Sequence, residues 1–115
     1  MGQYYVIANI DKKQVIKPMD FDDGAKLMEF VCSSDGVLAG LGILLADGNG
    51  RGGGDLRSDN PIIGSWAGDR IVIAGDYADE GKFVESPNDT LYDVTKYSFE
   101  NISSKVKAAL KDDEG

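Results

Sequence analysis

Apolar positions along this chain fall into short runs divided by charged or glycine-rich stretches. Residues 3–10 (QYYVIANI) include Tyr4, Tyr5, Val6 and Ile7, aromatic and β-branched types that suit a pleated, half-buried surface. Asp11, Lys12 and Lys13 then mark a turn, and residues 14–17 read as a short return strand stopped by Pro18. This pattern predicts an N-terminal β-hairpin. Within residues 20–32, Leu27, Phe30 and Val31 fall at i, i+3 and i+4 and predict a short helix, with Asp20 or Asp22 as its cap. Capping by early acids also accounts for the cluster Asp20, Asp22 and Asp23.

Residues 37–46 (VLAGLGILLA) are apolar all round, so periodicity alone does not decide their state. Leucine and alanine content and a cap at Asp35 favour a buried helix; a fully buried strand is the alternative. Residues 71–74 form a clear strand between two Gly-Asp pairs. Residues 91–99 read as a longer strand whose apolar phase switches between Val94 and Tyr97, which predicts a bulge. Ile102, Val106, Ala109 and Leu110 give the stripe of a final helix over 103–111, capped by Asn101 or Ser103. The order of elements predicts a small single-domain α+β fold. It would have a mainly antiparallel sheet of about four strands and two to three helices, spanning residues 1–111. Residues 112–115, acidic at the negative end of a helix dipole, are expected to fray.

Length and composition narrow the function. A chain of 115 residues can fold without disulfides or metal. No apolar run approaches the ~20 residues of a membrane span. The start, MGQYYVIANIDKK, has no basic segment before its apolar stretch, so no secretory signal is expected, and Val6 stands where a myristoylation motif needs Ser or Thr. The chain is therefore expected in the cytoplasm. There the N-x-[ST] matches at Asn88 and Asn101 carry no weight. The single cysteine, Cys32, excludes an internal disulfide and reads as a small buried hydrophobe. With no histidine, a Cys–His nucleophile is impossible, and acid–base chemistry would fall on Asp, Glu, Lys or Tyr. A net charge of −8 disfavours direct nucleic-acid binding and suits a partner with a basic surface.

Candidate chemistry centres on residues 47–59 (DGNGRGGGDLRSD), which hold five glycines, three aspartates and two arginines. Loops of this length in small domains are usually functional or disordered. Gly48, Gly50 and Gly53 match GxGxxG, but no helix opens directly afterwards, so a dinucleotide site is not expected. No Gly-Lys-[Ser/Thr] occurs, which removes a Walker A loop. An EF-hand starting at Asp47 would place Arg51 and Ser58 where ligands belong. A looser oxygen site using Asp47, Asp55 or Asp59, or a cluster of Asp76, Asp79 and Glu80, would take a divalent cation. Asp69 and Asp76 lie about 23 Å apart along a straight strand and cannot share one metal.

All three arginines, Arg51, Arg57 and Arg70, lie between positions 51 and 70, and all nine lysines lie outside that interval. Arginine presents a planar fork to carboxylate or phosphate. Structural Arg–Asp tethering of the loop is one reading; an anion site built from Arg51, Arg57 and glycine N–H groups is the sharper one. The only tryptophan, Trp66, sits beside Gly68, Asp69 and Arg70 and would either plug the core edge or contact a partner.

The phrases MGQYYVIANIDKK, ADGNGRGGGDLRSD and GSWAGDRIVIAGDYAD resemble a small bacterial and phage protein type with no activity attached, and the resemblance carries over no functional residues. The expected function is a non-enzymatic binding or regulatory protein without a cofactor. It would offer Asp47, Asn49, Arg51, Asp55, Arg57, Asp59, Trp66, Asp69 and Arg70 to a protein partner. One alternative is a phage-type acidic inhibitor that occludes a nucleic-acid-binding enzyme of a host defence system. Another is a small enzyme dependent on a divalent cation.

Overall fold

The computed structural model describes residues 2–112. The elements run β1 (Tyr5–Asn9), β2 (Gln14–Ile16), a 3-10 turn (Pro18–Phe21), α1 (Leu27–Val31) and α2 (Val37–Leu45). After a long loop come β3 (Ile71–Gly75), α3 (Leu91–Ser98), β4 (Glu100–Asn101) and α4 (Ser103–Asp112). The fold is α+β. Its four-stranded sheet has the order β3-β1-β2-β4, antiparallel except where β4 runs parallel to β2.

β1 lies inside the sheet with both faces covered, which is why it reads as a nearly continuous apolar run rather than an alternating one. Its odd residues face one core: Ile7 packs with Ile16, Phe30, Leu44, Trp66 and Val106. Its even residues face the other: Val6 and Ala8 pack with Val15, Ala74 and Leu91. Helices α1, α2 and α4 therefore cover one face and α3 the other.

The N-terminal hairpin and α2 match the sequence expectation. The α2 cap does not come from Asp35. Gly36 occupies the N-cap, and the carboxylate of Asp23 accepts the Val37 N–H at 2.8 Å from 14 residues upstream. A Cβ at Gly36 would collide with that carboxylate. The single helix expected over 20–32 is divided. Pro18 opens the 3-10 turn, Asp22 leaves it in the left-handed region at φ 62, and α1 begins only at Leu27. Neither Asp20 nor Asp22 caps α1; Asp20 instead accepts the Asn101 side-chain N–H at 3.0 Å. Cys32 is exposed rather than buried, because α1 ends at Val31 and Phe30 alone fills the core position.

The strand expected over 91–99 is a helix. Thr90 takes the N-cap and its hydroxyl accepts the Asp93 N–H at 3.1 Å. The phase switch that suggested a bulge is helical spacing, with Leu91 and Thr95 buried on one face. This raises the helix count to four, and the two-residue β4 supplies the fourth strand instead. Asn101 Oδ1 accepts the Ser103 N–H at 2.9 Å and starts α4. The Ser103 hydroxyl is used elsewhere, accepting the Lys17 N–H at 3.0 Å. Asp112, the first residue of the expected tail, is the last residue of α4, and its carboxylate accepts the Ser58 hydroxyl at 2.7 Å. The rest of the expected tail, residues 113–115, lies outside the described residues. Among those described, no helix is long and apolar enough to cross a membrane.

Candidate functional site

The 47–59 loop has a defined internal structure. Asn49 spans it, donating from Nδ2 to the Leu56 carbonyl and accepting the Leu56 N–H at Oδ1, both at 2.9 Å. Asp55 fills the glycine turn: its Oδ2 accepts the N–H groups of Gly50 (2.9 Å), Arg51 (2.9 Å) and Gly52 (3.2 Å). Successive N–H groups converging in this way make an anion nest. Their hydrogen bonds, that of Arg51 foremost, hold the Asp55 carboxyl below the usual carboxylate range. Gly50 and Gly54 adopt φ 94 and 93, which side chains rarely tolerate.

Both ends of the loop are pinned. The Gly64 and Trp66 N–H groups donate to the carbonyls of Ile43 (2.8 Å) and Leu44 (2.9 Å), which satisfies the C-terminal end of α2. A Cβ at Gly64 would lie 2.7 Å from the Ala46 carbonyl oxygen, so only glycine lets the chain pass there. Asn60 Oδ1 accepts the Ile62 N–H at 3.0 Å, and Ser58 ties the loop to the end of α4.

The expected site residues separate into groups. Asp47, Asn49, Arg51 and Asp59 line one shallow pocket of 290 Å3 at the loop base, together with Ser58 and Asn60. The side chains of Asp47, Arg51 and Asp59 are exposed and make no hydrogen bond or ion pair within the described residues. Asp55 turns inward to its nest, and Arg57 is engaged. The anion site expected from arginines and glycine N–H groups is thus already filled by the chain's own carboxylate. Of the two places expected for Trp66, the structure shows the core: it is 0% exposed, and its indole N–H donates to Gln14 Oε1 at 2.7 Å. Among the described residues no group of three or more carboxylate or cysteine side chains is placed to hold a metal. Asp47, Asp55 and Asp59 do not converge, and Asp76 instead accepts the Tyr4 N–H at 2.9 Å.

Asp69 and Arg70 belong to a clamp at the turn end of the β1–β2 hairpin. Arg70 donates from its backbone N (2.7 Å), Nε (2.9 Å) and Nη2 (2.8 Å) to the Asp11 carboxylate. Asp69 Oδ2 accepts from Lys12 and, at 2.8 Å, from the Nδ2 of the fully buried Asn9. Asn9 Oδ1 accepts the Lys12 N–H at 2.8 Å, so this buried amide is satisfied on both sides. Hydrogen bonds from Arg70 lower the Asp11 carboxyl, and those from Lys12 and then Asn9 lower Asp69. Arg–Asp tethering therefore holds for Arg70, with a partner, Asp11, that the sequence did not single out.

A hollow lies beyond this clamp, on the α3 face of the sheet. It is an open cleft of 560 Å3 between the β1–β2 turn, residues 83–86 and the end of α3. Ile10, Val84, Val94 and Phe99 supply apolar surface, and Lys13, Arg70 and Glu85 supply charge. Phe83 sits on its wall with φ 65 while remaining 52% exposed. A bulky side chain in the left-handed region costs about 1–3 kcal/mol. Tyr97 is 67% exposed, yet its hydroxyl donates to Asp89 Oδ2 at 2.9 Å. Nothing in the spacing of residues 10–13, 83–86 and 94–99 brings them together; the only sequence signal was three aromatics, Phe83, Tyr97 and Phe99, among polar neighbours. No protein-family model matches this chain, nor does any curated protein or solved structure.

Proposed function

We propose that this protein is a non-enzymatic cytoplasmic binding or regulatory protein that offers its 47–59 loop to a protein partner with a basic surface. The observation that carries this reading is the division of labour inside the loop. Asn49 and Asp55 spend their polar groups on fixing the backbone, whereas Asp47, Arg51 and Asp59 stay exposed around a shared pocket. A loop ordered before binding loses less conformational freedom on binding, so its contacts yield more affinity. Two carboxylates and one guanidinium at the pocket favour a partner with excess positive charge, consistent with the net charge of −8.

The test is comparative affinity capture from host extract with the parent and an Asp47→Asn, Arg51→Ala, Asp59→Asn triple variant. The variant should fold as the parent does by circular dichroism and melting, because none of the three side chains holds the structure together. It should lose a partner that the parent releases at raised salt. A variant that keeps every captured protein would remove the loop from the reading.

A further inference from the structure

We propose that the cleft between the β1–β2 turn, residues 83–86 and the end of α3 binds a small amphipathic carboxylate, with an aromatic or acyl body and one anionic head. This goes beyond the loop reading: the loop is pinned to α2 and α4, on the opposite face of the sheet.

The size fits such an occupant. At 560 Å3 the cleft falls in the range of roughly 300–1,000 Å3 that small-molecule sites occupy. Its apolar lining, from Ile10, Val84, Val94 and Phe99, suits a hydrocarbon or ring.

The walls carry the stronger argument. Phe83 holds a backbone conformation that glycine or asparagine would adopt with little or no strain. Burial does not compensate for that strain, since the side chain is 52% exposed. The Lys82 ammonium lies 5.4 Å from the centre of its ring, and residues held in such strained conformations cluster at ligand clamps and active sites. Tyr97, also exposed, is held by its bond to Asp89, so a second aromatic face is fixed in advance. Fixed aromatic walls bind a ring with little loss of freedom.

The head group follows from the charges at the mouth. The Lys13 ammonium makes no hydrogen bond or ion pair among the described residues. Arg70 gives Nε and Nη2 to Asp11, and no bond from its Nη1 is present among the described residues. These two cations face the cleft in a chain of net charge −8. Glu85 also lines it and, with Asp11 on Arg70, limits the positive field, which favours a single carboxylate over a dianion such as phosphate.

The test uses 1-anilinonaphthalene-8-sulfonate as a fluorescent probe on the whole chain, with 3-phenylpropionate as competitor. Saturable probe fluorescence should be displaced by 3-phenylpropionate with an affinity of about 1 mM or tighter. Its neutral amide, acetate and inorganic phosphate should displace far less. Amide NMR shifts should map to Lys13, residues 83–86 and residues 97–99.

Lys13→Asn keeps a residue that tolerates φ 54 and should weaken competition by about fivefold. Phe83→Gly relieves the strain, so the protein should melt at or above the parent temperature while binding falls by about tenfold. Loss of stability in Phe83→Gly with competition unchanged would make Phe83 a structural residue and overturn the proposal. So would equal competition by the amide or by acetate, or shifts mapping elsewhere. Displacement by a Phe-terminated tetrapeptide but not by 3-phenylpropionate would assign the cleft to a protein partner and likewise overturn it.

Discussion

The carboxylate of Asp55 accepts the backbone N–H of Arg51 at 2.9 Å, so the glycine-rich turn is closed from within. Asp55→Ala should remove three hydrogen bonds from exposed groups and leave the core untouched. The expected result is collapse of amide hydrogen-exchange protection at Gly50, Arg51 and Gly52, with a melting temperature close to the parent's. The freed nest should then bind sulfate weakly, which the parent should not do. Protection unchanged in the variant would show that glycine geometry alone holds the turn.

Acid should act on the same bonds. The carboxyls of Asp11, Asp55 and Asp69 are each lowered, by hydrogen bonds from Arg70, Arg51 and Lys12 respectively. A group lowered on folding adds stability that is fully present above its unfolded value near ~3.9 and is lost as pH falls through the folded value. Melting temperature should therefore hold between pH 5 and 7 and fall below about pH 4. Asp11→Asn should start lower and show a shallower acid slope, because one of the titrating groups is gone. A slope identical to the parent's would place the acid sensitivity elsewhere.

The Arg70–Asp11 contact should respond to geometry as well as charge. Arg70 offers Nε and Nη2 to one carboxylate oxygen, which a lysine ammonium cannot reproduce. Arg70→Lys should lower the melting temperature by a few degrees despite the retained charge. Both groups are partly exposed, which keeps the effect small. In a double-mutant cycle with Asp11→Asn the two losses should be less than additive.

What the sequence disclosed followed the range of the forces involved. β1, β2, β3, α2 and α4 are set by local apolar pattern and by nearby breakers such as Pro18, and they stand where the pattern placed them. The misreading of residues 91–99 came from weighting Val94, Tyr97 and Phe99 as strand formers over the Thr90–Asp93 cap that decides the matter. Asp23 capping α2 at the Val37 N–H and Asp112 holding Ser58 are long-range contacts made by short polar side chains, and no periodicity announces them. The loop itself was legible; its internal occupant was not. Asp55 looked like a ligand group for the same reason that it serves as a plug, since a carboxylate suits an N–H nest whether it arrives from outside or from five residues along.

Two glycines of α2 should respond in opposite directions. A Cβ at Gly40 would lie 2.9 Å from both Phe21 and Val106, where α2 meets the 3-10 turn and α4. Gly40→Ala should therefore destabilise by about 1–3 kcal/mol through overpacking. At Gly42 nothing lies within 4 Å of the added atom. Gly42→Ala should stabilise by roughly 0.5–1 kcal/mol by restricting the unfolded chain. Urea denaturation of both variants gives the two signs directly, and a stabilised Gly40→Ala would mean that α2 can shift away from α4.

Trp66 separates core from contact most cleanly. Fully buried under the base of the loop, it should fluoresce as an apolar-site tryptophan and resist acrylamide quenching. Trp66→Ala should cost about 3–5 kcal/mol through the lost burial and the cavity left behind. Trp66→Phe keeps most of the bulk but strips Gln14 of the indole donor, so its cost should be smaller. Because the side chain never reaches solvent, Trp66→Phe should lose stability and still capture whatever the loop captures. A variant of parental stability that loses the partner would put Trp66 back on the binding surface and contradict its place in the core.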